Sequence, residues 1–171
     1  MLKDFYNAIV NRLGQIVTRP ADPAATPLPV FKQIGWWNEQ WATEKEITPL
    51  RFPCVFVEFV SLPYEQLGNK VQQATAVIKL HIGSRSMDDE SVNHLDLLEV
   101  VNYAITGFQG TNFGTFTRTL LEVDHNHDTL VAHAITYRAR IQDNTAVRPL
   151  VVIEGDLFVL EYTDLPAEPQ G

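Results

Sequence analysis

"TLLEVDHNHDTLVAHAITYRARI" (residues 119–141) reads as two alternating runs around a polar centre. Before the centre, Leu121 and Val123 share one face. After it, Val131, His133, Ile135, Tyr137, Ala139 and Ile141 share a face, opposite Thr136, Arg138 and Arg140. Alternation with period two belongs to half-buried strands, so the stretch is expected to be a β-hairpin. Its centre, Asp124-His125-Asn126-His127-Asp128, has the residue types of a metal site. His125 and His127 would point the same way if the strand ran through them, as zinc ligands can.

Register decides between the two readings. Antiparallel pairing of the two apolar faces calls for an odd-length loop centred on Asn126, with Leu121 opposite Val131 and His133 opposite Thr119. The paired histidines then fall on the turn, where Asn and Asp are favoured because they tolerate left-handed backbone. His133, the nearest third ligand, lies well down the ladder, and no general base or oxyanion donor accompanies the cluster. The cluster is therefore read as a hairpin tip, with no residue assigned to a metal, a cofactor or catalysis. The competing reading, a metal-dependent hydrolase using Asp124–Asp128, would require stoichiometric metal and loss of stability on chelation.

Upstream, "SRSMDDESVNHLDLLEVVNYAITGF" (84–108) is expected to be a helix capped by Ser86 or Asp88, with its acidic run in the first turn. Leu95, Leu98, Val101 and Ile105 form the buried stripe, widened by Leu97 and Val100, and Gly107 ends it. His94 is expected on this helix as a solvated or half-buried side chain. Further upstream, "CVFVEFVSL" (54–62) and "VQQATAVIKLHIGS" (71–84) read as an antiparallel pair joined by the loop "PYEQLGNK". In the second of these, Ala74, Ala76, Ile78, Leu80 and Ile82 face one side; Thr75, Val77, Lys79 and His81 face the other.

Residues 2–17 form the first expected helix, with Leu2, Phe5, Ile9, Leu13 and Ile16 at helical spacing. Residues 18–30 are a proline-rich loop. The segment after it, up to Pro53, carries all three tryptophans, Trp36, Trp37 and Trp41. So many large rings in so short a segment suit either a partner surface or a lid on the protein's own core. At the other end, residues 147–171 are expected to be a β extension built on "LVVIEGDLFVLEY" with a frayed terminus.

The 171 residues suit one α+β domain spanning 1–171: an antiparallel sheet built from two hairpins, helices packed on one face, and the short C-terminal β extension. A hydrophobic fraction of 45% argues against a disordered chain. The net charge of -8 and the lack of any basic run argue against a surface that grips nucleic acid, while leaving room for a channel through which DNA slides. Cys54, the single cysteine, excludes an intramolecular disulfide and sits in an apolar run that favours a buried thiol. The amphipathic start is neither a signal-peptide core nor a membrane span, so a reducing cytosol is the expected compartment. No dinucleotide, Walker, HExxH or GxSxG motif is present.

Four stretches in this order resemble the tail terminator (tail completion) proteins of long-tailed bacteriophages and prophages. They are the amphipathic N-terminal helix, "PCVFVEF", the strand ending in "IKLHIGS" that runs into "HLDLLEVVNYAI", and the hairpin "VDHNHDTLVAHAITYRARIQD". Together they span residues 1–143; the tryptophan-rich insert and the extension after 147 have no counterpart in the general pattern. The resemblance implies a structural protein without enzymatic activity. It would be a homo-oligomeric, hexameric ring that caps the tail tube, ends its polymerisation and joins the head, with the tail tube protein and head–neck proteins as partners. DNA passes through without specific binding and no membrane is involved. The protein would reside in the host cytoplasm during assembly and then in the virion tail. A head–tail connector or neck protein is the alternative within the same particle; a soluble module binding peptide or carbohydrate through its tryptophans is another class. For the contact surface, Trp36, Trp37 and Trp41 are expected to meet a partner, and Arg138 and Arg140 to meet acidic groups of a neighbouring subunit.

Overall fold

The computed structural model describes residues 1–144 except 20, 21, 23, 40, 42–49, 69, 86, 90, 91 and 125–129. In chain order the elements are α1 (Leu2–Gly14), β1 (Gln33–Trp36), β2 (Cys54–Ser61), β3 (Tyr64–Gly68), β4 (Val71–Ser84), β5 (Asp88–Asp89), β6 (Val92–Asn93), α2 (His94–Ile105), β7 (Thr117–Asp124) and β8 (Val131–Asp143). The class is α+β: a six-stranded sheet in the order β1-β2-β4-β8-β7, with β3 also on β4, and two helices on one face.

Strands β4 and β8 form the centre, paired antiparallel from Gln72↔Asp143 to Ser84↔Val131. Their alternation puts Ile78, Leu80, Ile82, Ile135, Tyr137 and Ile141 on one face, all essentially inaccessible. Phe5, Ile9 and Leu13 of α1 recur every four residues, so one helical stripe meets that face. Leu97, Leu98, Val101 and Ile105 of α2 meet it beside them. Burying each such side chain is worth about 1.5–3 kcal/mol. The helices are also pinned to each other, because Arg12 Nε donates to the Ala104 carbonyl at 2.9 Å, in the last turn of α2. A cation there also complements the helix dipole.

Three features correct the two-hairpin expectation. The sheet is mixed, because β1 runs parallel to β2 (Gln33↔Cys54 to Trp36↔Val57). The expected loop after β2 is largely a strand: β3 pairs with the first part of β4, from Tyr64↔Ala74 to Gly68↔Val71. The β7–β8 ladder pairs Leu121 with Ile135 and Val123 with His133, not Leu121 with Val131 and His133 with Thr119. Its last described pair, Asp124↔Ala132, moves the hairpin's midpoint from position 126 to position 128. The pairing is displaced by four residues, an even number that preserves which side chains share a face, so the alternation alone could not distinguish the registers.

Helix α2 starts at His94, not near Ser86 or Asp88. Asn93 takes the cap, its side-chain oxygen accepting from the Leu95 N–H at 2.8 Å, while β5 and β6 pair in the residues before it. Ser, Val and Asn are weak helix formers at 91–93, and Asn is favoured at the cap itself. Of the expected stripe, Leu97, Leu98, Val101 and Ile105 are buried, while Leu95 and Val100 are exposed and Ala104 is buried in addition. Gly107 ends the helix as expected, at φ +81, a left-handed conformation that glycine adopts without steric cost. The expected extension at 147–171 lies outside the described residues, as does most of the tryptophan-rich insert beyond Trp41.

Candidate functional site

The face of the sheet away from the helices divides into a covered end and a bare end. At the covered end Trp41, Cys54, Phe56 and Ala132 form a second apolar cluster, with Trp37, Leu50 and Phe52 packed against it. Trp37 stacks flat on the His81 ring, centroids 3.9 Å apart and planes within 7°. His81 Nε2 in turn donates to the Glu58 carboxylate at 2.7 Å. Burial pushes the His81 pKa below its ordinary value, against the opposing pull of Glu58. We therefore read the contact as a hydrogen bond from a neutral imidazole near pH 7, not an ion pair between full charges.

The three tryptophans thus have different environments. Trp41 is buried at 7% exposure and Trp37 is half-buried, so both act as a lid over their own sheet. Trp36, on β1, is 48% exposed and leans on Phe59 and Tyr6. Cys54 is fully buried, and burial pushes its thiol up to about 12, so it is held as an unreactive thiol.

The bare end carries Arg138 and Arg140, both exposed. Their cross-strand neighbours are the uncharged Val77, Thr75 and Thr117. One strand further out, β7 pairs with β8 alone among the described residues. It exposes Leu120, Leu121 and Val123 at 46–51%. Lys79 reaches Glu122 across this face at 2.9 Å.

A buried polar chain that sequence reasoning missed joins three elements under α2. Ser84 Oγ lies 2.6 Å from His94 Nδ1, and His94 Nε2 lies 2.9 Å from His133 Nδ1. His94 is wholly buried, so the expectation of a solvated imidazole is corrected. Burial, and then the neighbouring His133, lower its pKa to about 4. With the His94 ring neutral, one of its nitrogens donates and the other accepts along the chain. Ser84 beside an imidazole has the residue types of a nucleophile and its base, but at 1% exposure it is closed to a substrate. The chain's physical role is to lock the start of α2 to β4 and β8. One signal for it was available: His133 occupies an inward position between Val131 and Ile135, and an inward polar residue demands a buried partner.

Of the Asp–His cluster, Asp124 ends β7, and 125–128 lie outside the described residues. Among the described residues, no three His, Cys, Asp or Glu side chains gather as metal ligands, and no helix is long and apolar enough to cross a membrane.

No family model and no curated protein matches the chain. Among solved structures it is similar to a chain of the virion of a native gene transfer agent particle, with a TM-score of 0.43 and 8% identity, over 64% of this chain and 78% of that one.

Proposed function

We propose that the chain is a structural subunit of a phage-type particle: a tail terminator forming a homo-oligomeric ring, hexameric as the family resemblance implies, that closes the tail tube and joins it to the head. The observation that carries the reading is the edge of β7. Its eight residues, Thr117–Asp124, contain neither lysine nor proline; beyond the charged Arg118 and the register irregularity next to it, Leu120, Leu121 and Val123 are exposed. Proteins that work alone blunt such an edge, because its backbone groups recruit another strand. In this particle the edge accepts a strand from the tail tube subunit, by strand addition. The acidic chain lets DNA pass the ring without holding it. The reading assigns no catalytic step, metal or cofactor; the protein is made in the host cytoplasm and ends in the virion tail.

The test combines native mass spectrometry of the purified protein with growth of tail tubes in its presence. A closed oligomer that halts tube growth, and a Leu121→Lys/Val123→Lys variant that stays oligomeric but no longer halts it, are the expected results. A wild-type protein that is monomeric at every concentration refutes the ring. Hydrogen exchange on β7 discriminates the alternative: protection by a head–neck protein but not by tube subunits makes the chain a connector.

A further inference from the structure

Building on that ring reading, we infer that the outer face of α2 in one copy docks on the bare sheet face of the next, with Asp96 and Glu99 meeting Arg138 and Arg140. On the sheet, Lys79 is engaged with Glu122 and Glu58 with His81, while the exposed Glu65 lies on β3, on the far side of β4 from the arginines. Arg138 and Arg140 have no acidic partner among the described residues, although the chain has 21 acidic residues against 13 basic ones. On α2, Asp96 and Glu99 are exposed and likewise lack a basic partner among the described residues. Tyr103, 86% exposed, stands one turn beyond Glu99.

The spacings match. Side chains three apart on a helix are about 5–6 Å apart, and side chains two apart on a strand are about 6.6 Å apart. A carboxylate pair can therefore meet an arginine pair one to one, each with fork geometry. Tyr103 supplies a ring on which a guanidinium can stack, and Leu120, exposed beside the arginines, supplies apolar contact. The two patches lie on opposite faces of the protomer, because α2 packs on the face that Tyr137 shares while the arginines point away from it. The contact cannot be reciprocal between two copies. It is heterologous, the class of interface that generates rings when its rotation closes. Each bare sheet face then gains a helical cover that the described residues of its own chain do not supply.

Charge reversal in both patches tests the inference on the full chain. Asp96→Arg/Glu99→Arg and Arg138→Glu/Arg140→Glu alter only exposed positions, and each is expected to weaken self-association by roughly 100-fold or more through like-charge contact. Mixed one to one, the two variants contain every complementary pairing and are expected to reassemble; the fourfold variant is expected to assemble by itself. Double variants that keep the wild-type oligomer, or a mixture that stays dissociated, overturn the docking while leaving the ring intact. A monomeric wild type overturns both. If the arginine variant keeps its oligomer but loses retention of duplex DNA, the sheet face is a DNA-facing wall and the docking is wrong.

Discussion

Replacing His94 by glutamine separates the titration of the buried imidazole from its hydrogen bonds. In the native protein His94 protonates at about 4, against an ordinary value of 6.5. Between those values the unfolded chain takes up a proton that the folded chain refuses, so stability falls as the pH drops through this window and levels off below it. At about 1.36 kcal/mol per pH unit, the loss from pH 7 to pH 4 is about 3 kcal/mol. That is a large share of the roughly 5–15 kcal/mol that holds a typical domain together. His81, whose pKa burial also lowers, is present in both proteins and cancels in the comparison. The assay is urea unfolding at pH 7, 6, 5 and 4. His94→Gln is expected to be less stable than wild type at pH 7, because amide geometry serves Ser84 and His133 poorly, but to lose about 3 kcal/mol less on acidification. Parallel pH profiles for the two proteins would refute the assignment of His94 as a neutral, buried group.

Three other perturbations have defined outcomes. Cys54 is expected to resist a thiol reagent at pH 8 until the protein is unfolded, since it is buried and its thiol is pushed up to about 12; rapid stoichiometric labelling of the native protein contradicts this. Gly83→Ala would bring a Cβ within 3.0 and 3.1 Å of the Trp41 ring and 3.3 Å of Cys54 Sγ. Displacement of the indole should shift tryptophan emission and cost about 1–3 kcal/mol, and an unchanged spectrum argues against the lid. Gly107→Ala meets no atom within 4 Å, so only its backbone at φ +81 resists; the expected loss is about 1 kcal/mol by thermal or urea unfolding, and no loss refutes the αL cap.

Local pattern was sufficient where one face of an element meets the core. The alternation of Ala74 to Ile82 and of Ile135 to Ile141, and the four-residue spacing of Phe5, Ile9 and Leu13, assigned those side chains to the interior as the structure has them. Gly107 marked the end of α2, and the apolar surroundings of Cys54 marked a buried thiol, because each signal lies within a few residues of its effect. Pattern failed where two answers share the same parity. Displacing the β7–β8 pairing by four residues leaves the faces of Leu121 and Val123 unchanged, so only packing beyond the hairpin could choose Leu121↔Ile135.

The polar chemistry was decided almost wholly by tertiary structure. Ser84 and His94 are ten residues apart and His133 another 39 along, and they meet only because α2 lies across both central strands. Likewise Trp37 and Trp41 belong to the protein's own lid while Trp36 faces outward, a division set by which side of β1 and β2 each ring reaches. Sequence by itself determined the class, the inward faces, and the exposure of Arg138 and Arg140, since period-two burial is a local property. The fold alone decided that, among the described residues, those arginines lie on an uncovered sheet and β7 is an edge, because coverage and edges depend on which strands and helices are neighbours in space.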